Sequence, residues 1–287
     1  MPRLRFRTID VFTEARFGGN PLGIFFDADE LDAATMQAMA RELNMSEIVF
    51  LSRPSDQANT ARVRIFTPEL EIDFAGHPNV GVGWALAEDG MQPPYRLEQR
   101  AGVVTVEVEG APPTRRCRIA APKPLHVGVA PDRTLVAPCA SLQANEIGTP
   151  RLASVGLATL CVEVSPDALD RASCDPAAFE RLAEQRQDLA NICLLMLYAR
   201  NGNRIDARMF APLSGAIEDP ATGSAATALA ALLLAESEDD QLSLEVTQGV
   251  KMGRPSQMQV EARRTPDGIR AWVGGACVPV LSGEALL

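Results

Sequence analysis

The sequence predicts an α+β protein built from two similar halves, and three observations carry that reading. Short strand-like alternations are interleaved with helical stretches along the whole chain. At 287 residues the chain admits either two lobes or one large domain. A residue-level repeat then favours two lobes: Arg64-Ile65-Phe66-Thr67-Pro68 matches Arg208-Met209-Phe210-Ala211-Pro212 at an offset of 208 − 64 = 144. Each copy is followed by a polar loop, a Pro- and Gly-containing turn and a helix, AGHPNVGVGWALAE in one half and EDPATGSAATALAALLLAE in the other.

Taken in order, 4–12 and 23–26 alternate as strands around the turn Gly18-Gly19-Asn20-Pro21. Residues 32–43 carry helical periodicity with acidic residues in the first turn, and 47–52 form the next strand. Residues 61–66 alternate again, and Gly76-His77-Pro78 opens a small-residue helix over about 79–88. Strands are expected at 96–109 and 115–119. A proline-rich stretch, 120–138, has no clear period and marks the lobe boundary. The second half reads as a strand at 159–164, a helix at 176–187, strands at 192–199 and 205–210, a loop and an apolar helix. It closes with strands at 243–247, 257–263 and 269–273.

The composition, 46% hydrophobic and 22% charged, is that of an ordinary globular chain. A formal net charge of −10 without any run of Lys or Arg argues against nucleic acid or an anionic membrane as partner. The longest apolar run, 225–235, is short of the roughly 20 residues of a membrane-spanning helix. The N-terminus shows no signal-peptide core, so a cytoplasmic location is expected. Six scattered cysteines form no Cys-x-x-Cys unit and read as small buried hydrophobes, so neither metal nor redox use is expected.

The two Gly-containing turns are the candidate site. A helix start exposes unpaired N–H groups and a partial positive charge, and small residues let an acid approach them. Gly76 and Gly81 in one turn, and Gly223, Ser224 and Ala225 in the other, could serve this, although the same glycines could simply allow close packing. The polar residues beside them, His77 in the first turn and Glu218, Asp219, Thr222 and Ser224 in the second, favour a ligand. Alone, Asp219 reads as a helix cap and Glu218 as solvated; His77 and Asp219 brought together would form a coupled pair able to relay a proton. The second histidine, His126, reads as a surface residue. Glu47 opens an apolar strand, where an exposed strand end and a partly buried acid/base are equally open readings.

Five motifs, GGNPLGIF, NMSEIVFL, RIFTPELEIDFAGHPNVGVGWAL, EDPATGSAA and QGVKMGRPS, together resemble the PhzF-like (phenazine biosynthesis) family over nearly the whole chain. The resemblance implies a diaminopimelate epimerase-like fold: two pseudo-symmetric lobes, each a curved, mostly antiparallel sheet around a central helix, with the site in the cleft. Residues 1–124, completed by about 265–287, would form the N-terminal lobe, and 125–264 the C-terminal lobe. Glu47 would be the general acid/base with His77 and Asp219 beside it, while Gly76, Gly223 and Ser224 would bind the substrate carboxylate. The motif at 248–256 brings no role with it, and a hairpin around Gly253 accounts for it.

Epimerases and racemases of this fold set two cysteines against the substrate carbon, but the corresponding turns here hold His77 and Thr222-Gly223. The expected reaction is therefore a one-carboxylate, cofactor-independent proton shift between carbons of a small carboxylic acid. The family's best-known example isomerises a dihydro-hydroxyanthranilate; a homodimer is implied, but phenazine synthesis is not. A catalytically idle small-acid-binding or partner-binding protein is the alternative. Ser224 as a hydrolytic nucleophile is disfavoured, because Gly223-Ser224-Ala225 lacks the Gly-x-Ser-x-Gly elbow.

Overall fold

The computed structural model describes residues 3–189 and 193–287. The chain falls into two compact units, one comprising the residues up to Ala120 together with Gly274–Leu287, the other Ala121–Val273.

In the first unit, β1 (Arg3–Val11) and β2 (Asn20–Phe25) pair antiparallel. The turn between them is shorter than expected, since Asn20 and Pro21 already belong to β2. Helix α1 (Ala33–Leu43) follows, and Asp32 is not in its first turn but caps it, accepting from Thr35 N at 2.8 Å. Then come β3 (Glu47–Ser52), parallel to β2, and β4 (Ala61–Phe66), antiparallel to β3. A two-residue strand β5 (Glu71–Ile72) pairs back on β4 and delivers the chain to α2 (Gly76–Glu88), which includes the Gly-His-Pro that was expected only to precede it. Strand β6 (Tyr95–Gln99) is parallel to β4 and leads into the antiparallel β7 (Gly102–Glu109) and β8 (Arg116–Ala120).

The second unit repeats this plan with a longer crossover. Strand β9 (His126–Gly128) and the single turn α3 (Arg133–Val136) lie in the proline-rich stretch, followed by β10 (Arg151–Ser154) and β11 (Ala158–Glu163), antiparallel to each other. Helices α4 (Pro166–Arg171) and α5 (Pro176–Gln185) lead to β12 (Leu194–Asn201), parallel to β11; the expected start of that strand, Ile192, lies outside the described residues. Strand β13 (Arg204–Ala211) is antiparallel to β12, and β14 (Ala216–Asp219) pairs back on it. Helix α6 (Gly223–Ala235), β15 (Gln241–Gln248) parallel to β13, β16 (Ser256–Thr265) and β17 (Gly268–Gly275) complete the unit. A final strand that alternation did not reveal, β18 (Cys277–Leu286), pairs with β1 in the first unit.

The two central helices each have 13 residues and begin with glycine. Both are apolar or small on every side, the pattern of a helix enclosed by its own unit, and His77 to Leu86 of α2 are all buried. Gly81 is part of that packing and not of a ligand turn. A Cβ there would lie 2.5 Å from Leu22 Cδ2, 2.9 Å from Ile9 Cδ1 and 3.0 Å from Val11 Cγ2. Overpacking costs about 1–3 kcal/mol and helix propensity returns up to about 1 kcal/mol, so Gly81→Ala should destabilise by about 1–2 kcal/mol, read from the midpoint of urea unfolding. Beneath α1, Phe25 stacks on Phe50 at 5.1 Å and Phe66 meets Phe50 edge-on at 5.5 Å.

Candidate active site

Asn44 ends α1 in the left-handed conformation, so the chain turns sharply and Glu47 becomes the first residue of β3. Parallel pairing with Leu22 fixes its backbone, and the adjacent Ser46 hydroxyl donates to the buried Asn20 at 2.8 Å. The Glu47 side chain is only 18% exposed, and its Oε2 is buried without a hydrogen-bond partner among the described residues. His77 Nε2 stands 3.5 Å away, presented from the second position of α2. Burial pushes the Glu47 carboxyl up to about 7, with Ser46 pulling the other way. A carboxyl so placed is available as base and as acid near neutral pH.

The second unit assembles a different set. Asp219 ends β14, and α6 begins four residues later at Gly223 with Thr222 in the capping position. Asp219 is thus not the helix cap; its Oδ2 accepts from the Thr222 hydroxyl. Nor is Glu218 solvated, because Arg208 donates to both its oxygens at 2.9 and 2.8 Å. The first unit contains the same device, Arg64 donating to both oxygens of Glu71 at 2.7 and 2.8 Å. In each unit the arginine also lies over the phenylalanine two residues on, at 5.2 Å for Phe66 and 5.0 Å for Phe210. The repeat therefore extends from backbone to side-chain contacts.

Helices α1, α3, α4 and α5 are capped by the side chains of Asp32, Asp132, Ser165 and Asp175. The two central helices have no side-chain cap: α2 starts after Ala75 and α6 after Thr222, whose side chain makes no capping bond. Gly76 occupies the first position of α2, and Gly223 and Ser224 the first two of α6. These helix starts have the chemistry to receive an anion.

A model of the phenazine biosynthesis-like protein family matches residues 9–283. The chain belongs to this family. It is similar to a trans-2,3-dihydro-3-hydroxyanthranilate isomerase of Pseudomonas aeruginosa, 35% identical with 99% of each chain covered. Among solved structures it resembles a phenazine biosynthesis protein of the PhzF family from Bacillus anthracis, with TM-score 0.89, 24% identity and both chains fully covered. It also resembles a predicted epimerase from Pseudomonas aeruginosa, with TM-score 0.81, 31% identity and 99% of each chain covered. The expected α+β class, mostly antiparallel sheets around central helices, is the observed one, and the protein is a cofactor-independent isomerase of this family.

None of the six cysteines lies at the start of α2 or α6. Cys117, Cys139, Cys161, Cys193 and Cys277 are buried, and burial pushes the first four thiols up to about 12. Among the described residues no group of three His, Cys, Asp or Glu side chains could hold a metal ion. His126 is exposed on β9, in keeping with its surface reading.

One polar residue of the second unit went unassigned in the sequence. Gln248, the last residue of β15, is fully buried and bonds to Asp219 and Thr222. The hairpin around Gly253 is real, yet it does more than turn the chain: Ser256 Oγ donates to Pro220 O at 2.7 Å. The signal that could have found Gln248 is its counterpart Gln99, which ends β6 just as Gln248 ends β15.

Proposed function

We propose that this isomerase moves a proton between two carbons of a small carboxylic acid, with Glu47 as the group that carries it. The observation that carries the reading is the buried Glu47 Oε2, 3.5 Å from His77 Nε2, in a carboxyl raised to about 7. Glu47, His77 and Gly76 belong to the first unit, and Asp219, Gly223 and Ser224 to the second, where their place beside the substrate is what the family resemblance implies. The uncapped starts of α2 and α6 are each suited to hold a carboxylate through backbone N–H groups.

Glu47 as carboxylate takes a proton from an activated carbon, and the electron pair of the broken C–H bond delocalises into the substrate. His77 and the backbone donors stabilise that charge, and Asp219 orients the ligand. The protonated Glu47 then returns the proton to a different carbon, so the double bond moves and the enzyme is restored. The name of the Pseudomonas aeruginosa relative supports a cyclic, unsaturated acid as the substrate class.

The test is to incubate trans-2,3-dihydro-3-hydroxyanthranilate and related unsaturated acids with the protein in D2O and follow carbon-bound deuterium by NMR. Deuterium should enter with the native protein. Its initial rate at limiting substrate should rise with pH through about 7, because the base form of Glu47 increases over that range. Binding of these acids with neither deuterium entry nor movement of the double bond would make the protein an idle binder and remove the proposal.

A further inference from the structure

We infer that Gln248 is a positioning residue for this reaction, aiming the Asp219 carboxylate through the Thr222 hydroxyl. The inference rests on the reading of Asp219 as a site residue. A fully buried amide is costly unless its donors and acceptor are matched, and Gln248 directs all of its bonds to one turn. Its Oε1 accepts from Thr222 N at 3.3 Å, and its Nε2 donates to Asp219 O at 2.7 Å and to Thr222 Oγ1 at 3.1 Å. The Thr222 N–H fixes the amide orientation, since a flipped amide would set donor against donor.

That orientation has a directional consequence. With an amide N–H aimed at its oxygen, the Thr222 hydroxyl sends its single proton to Asp219 Oδ2. The relay runs amide to hydroxyl to carboxylate, so Gln248 sets Thr222 as a donor and contributes to where Asp219 Oδ2 points.

The backbone behind the relay is clamped by the same hairpin. Gly249 has φ 77°, and a Cβ there would lie 2.5 Å from Arg254 O and 2.7 Å from Pro220 O. The carbonyls of Asp219 and Pro220 are thus held by Gln248 and Ser256 respectively. The first unit shows what a purely structural version looks like. There Gln99 bonds to Asn79, whose Nδ2 donates to Ala75 O at 2.8 Å, and the chain of bonds ends on a backbone carbonyl. In the second unit it continues to an ionisable side chain, Asp219.

The decisive experiment combines crystal structures and kinetics of Gln248→Leu, Thr222→Val and Thr222→Ser, with Asp219→Asn as reference and trans-2,3-dihydro-3-hydroxyanthranilate as the probe. Asp219 should leave its native rotamer in the Leu and Val variants and keep it in Thr222→Ser. Those two variants should lose about tenfold to a hundredfold in kcat with KM within about twofold, the pattern of a misaimed group in place of a lost binding contact. An unchanged Asp219 rotamer in both variants overturns the inference, whether or not the probe is turned over. So does a loss that merely follows the fall in melting temperature. If Asp219→Asn itself is fully active, the reading of Asp219 fails instead, and the two failures are told apart.

Discussion

Glu47→Gln should abolish turnover and, at alkaline pH, yield a more stable protein. General acid/base catalysis contributes about 10² to 10⁴ in rate, and glutamine neither accepts nor returns the proton, so a loss of about a thousandfold or more is expected. The stability effect follows from linkage. The Glu47 carboxyl stands at about 7 in the folded protein against 4.5 for an ordinary glutamate. Relative to the ionised form, its protonation therefore contributes stability that is complete below pH 4.5 and is lost as pH rises through 7. At about 1.4 kcal/mol per pKa unit, the ionised carboxylate costs about 3 kcal/mol above pH 7. A buried amide with imperfect partners costs about 1–3 kcal/mol itself, which leaves a net gain of up to about 2 kcal/mol at pH 8 and none at pH 4.5. Urea unfolding of both proteins at the two pH values, beside the deuterium assay, gives the answer. Equal stability differences at both pH values would mean that Glu47 does not bear the burial cost assigned to it.

What could be read from the sequence, and what could not, divides along chain distance. Strand β3 beginning at Glu47 and the two enclosed helices are local patterns, one a short continuous apolar run and one apolar on all sides, and both were legible. The repeat was legible through Arg64 and Arg208, but their glutamate partners were not, because they stand 71 − 64 = 7 and 218 − 208 = 10 residues away across unequal loops. Glu218 looked solvated only because the pairing of β14 with β13 is not visible in a one-dimensional reading. Asp219 resembled a cap because it precedes a proline, whereas the chain stays extended to Asp219 and turns only afterwards. Gly76 and Gly81 are the same residue type in the same helix, and only the third dimension shows that Leu22, Ile9 and Val11 crowd Gly81. Gln248 bonds to residues 26 and 29 positions earlier, a distance at which a glutamine carries no local signature.

The paired arginines make a second large effect measurable. Arg208→Met should destabilise the protein by about 3 kcal/mol, roughly twice the cost of Arg64→Met. Both substitutions leave a mostly buried carboxylate without its bidentate partner, a loss that reaches about 3–5 kcal/mol for fully buried pairs. Glu71 has a second cation in Arg100, at 3.4 Å, and Arg64 is the more exposed of the two arginines. Arg208 in addition donates to the carbonyls of Leu169 and Ala172, so its removal also strips the end of α4. The Arg64 guanidinium holds the Glu71 carboxyl below its usual range, so that pair's contribution is present above pH 4.5 and fades as pH falls. If unpaired charge is the cause, Arg208→Met with Glu218→Leu should recover most of the loss in thermal unfolding, because apolar replacement of both partners leaves no stranded carboxylate. A double variant as unstable as the single one would assign the loss to the two carbonyls. The β14 strand that delivers Asp219 would then depend on Arg208 through α4 and not through Glu218.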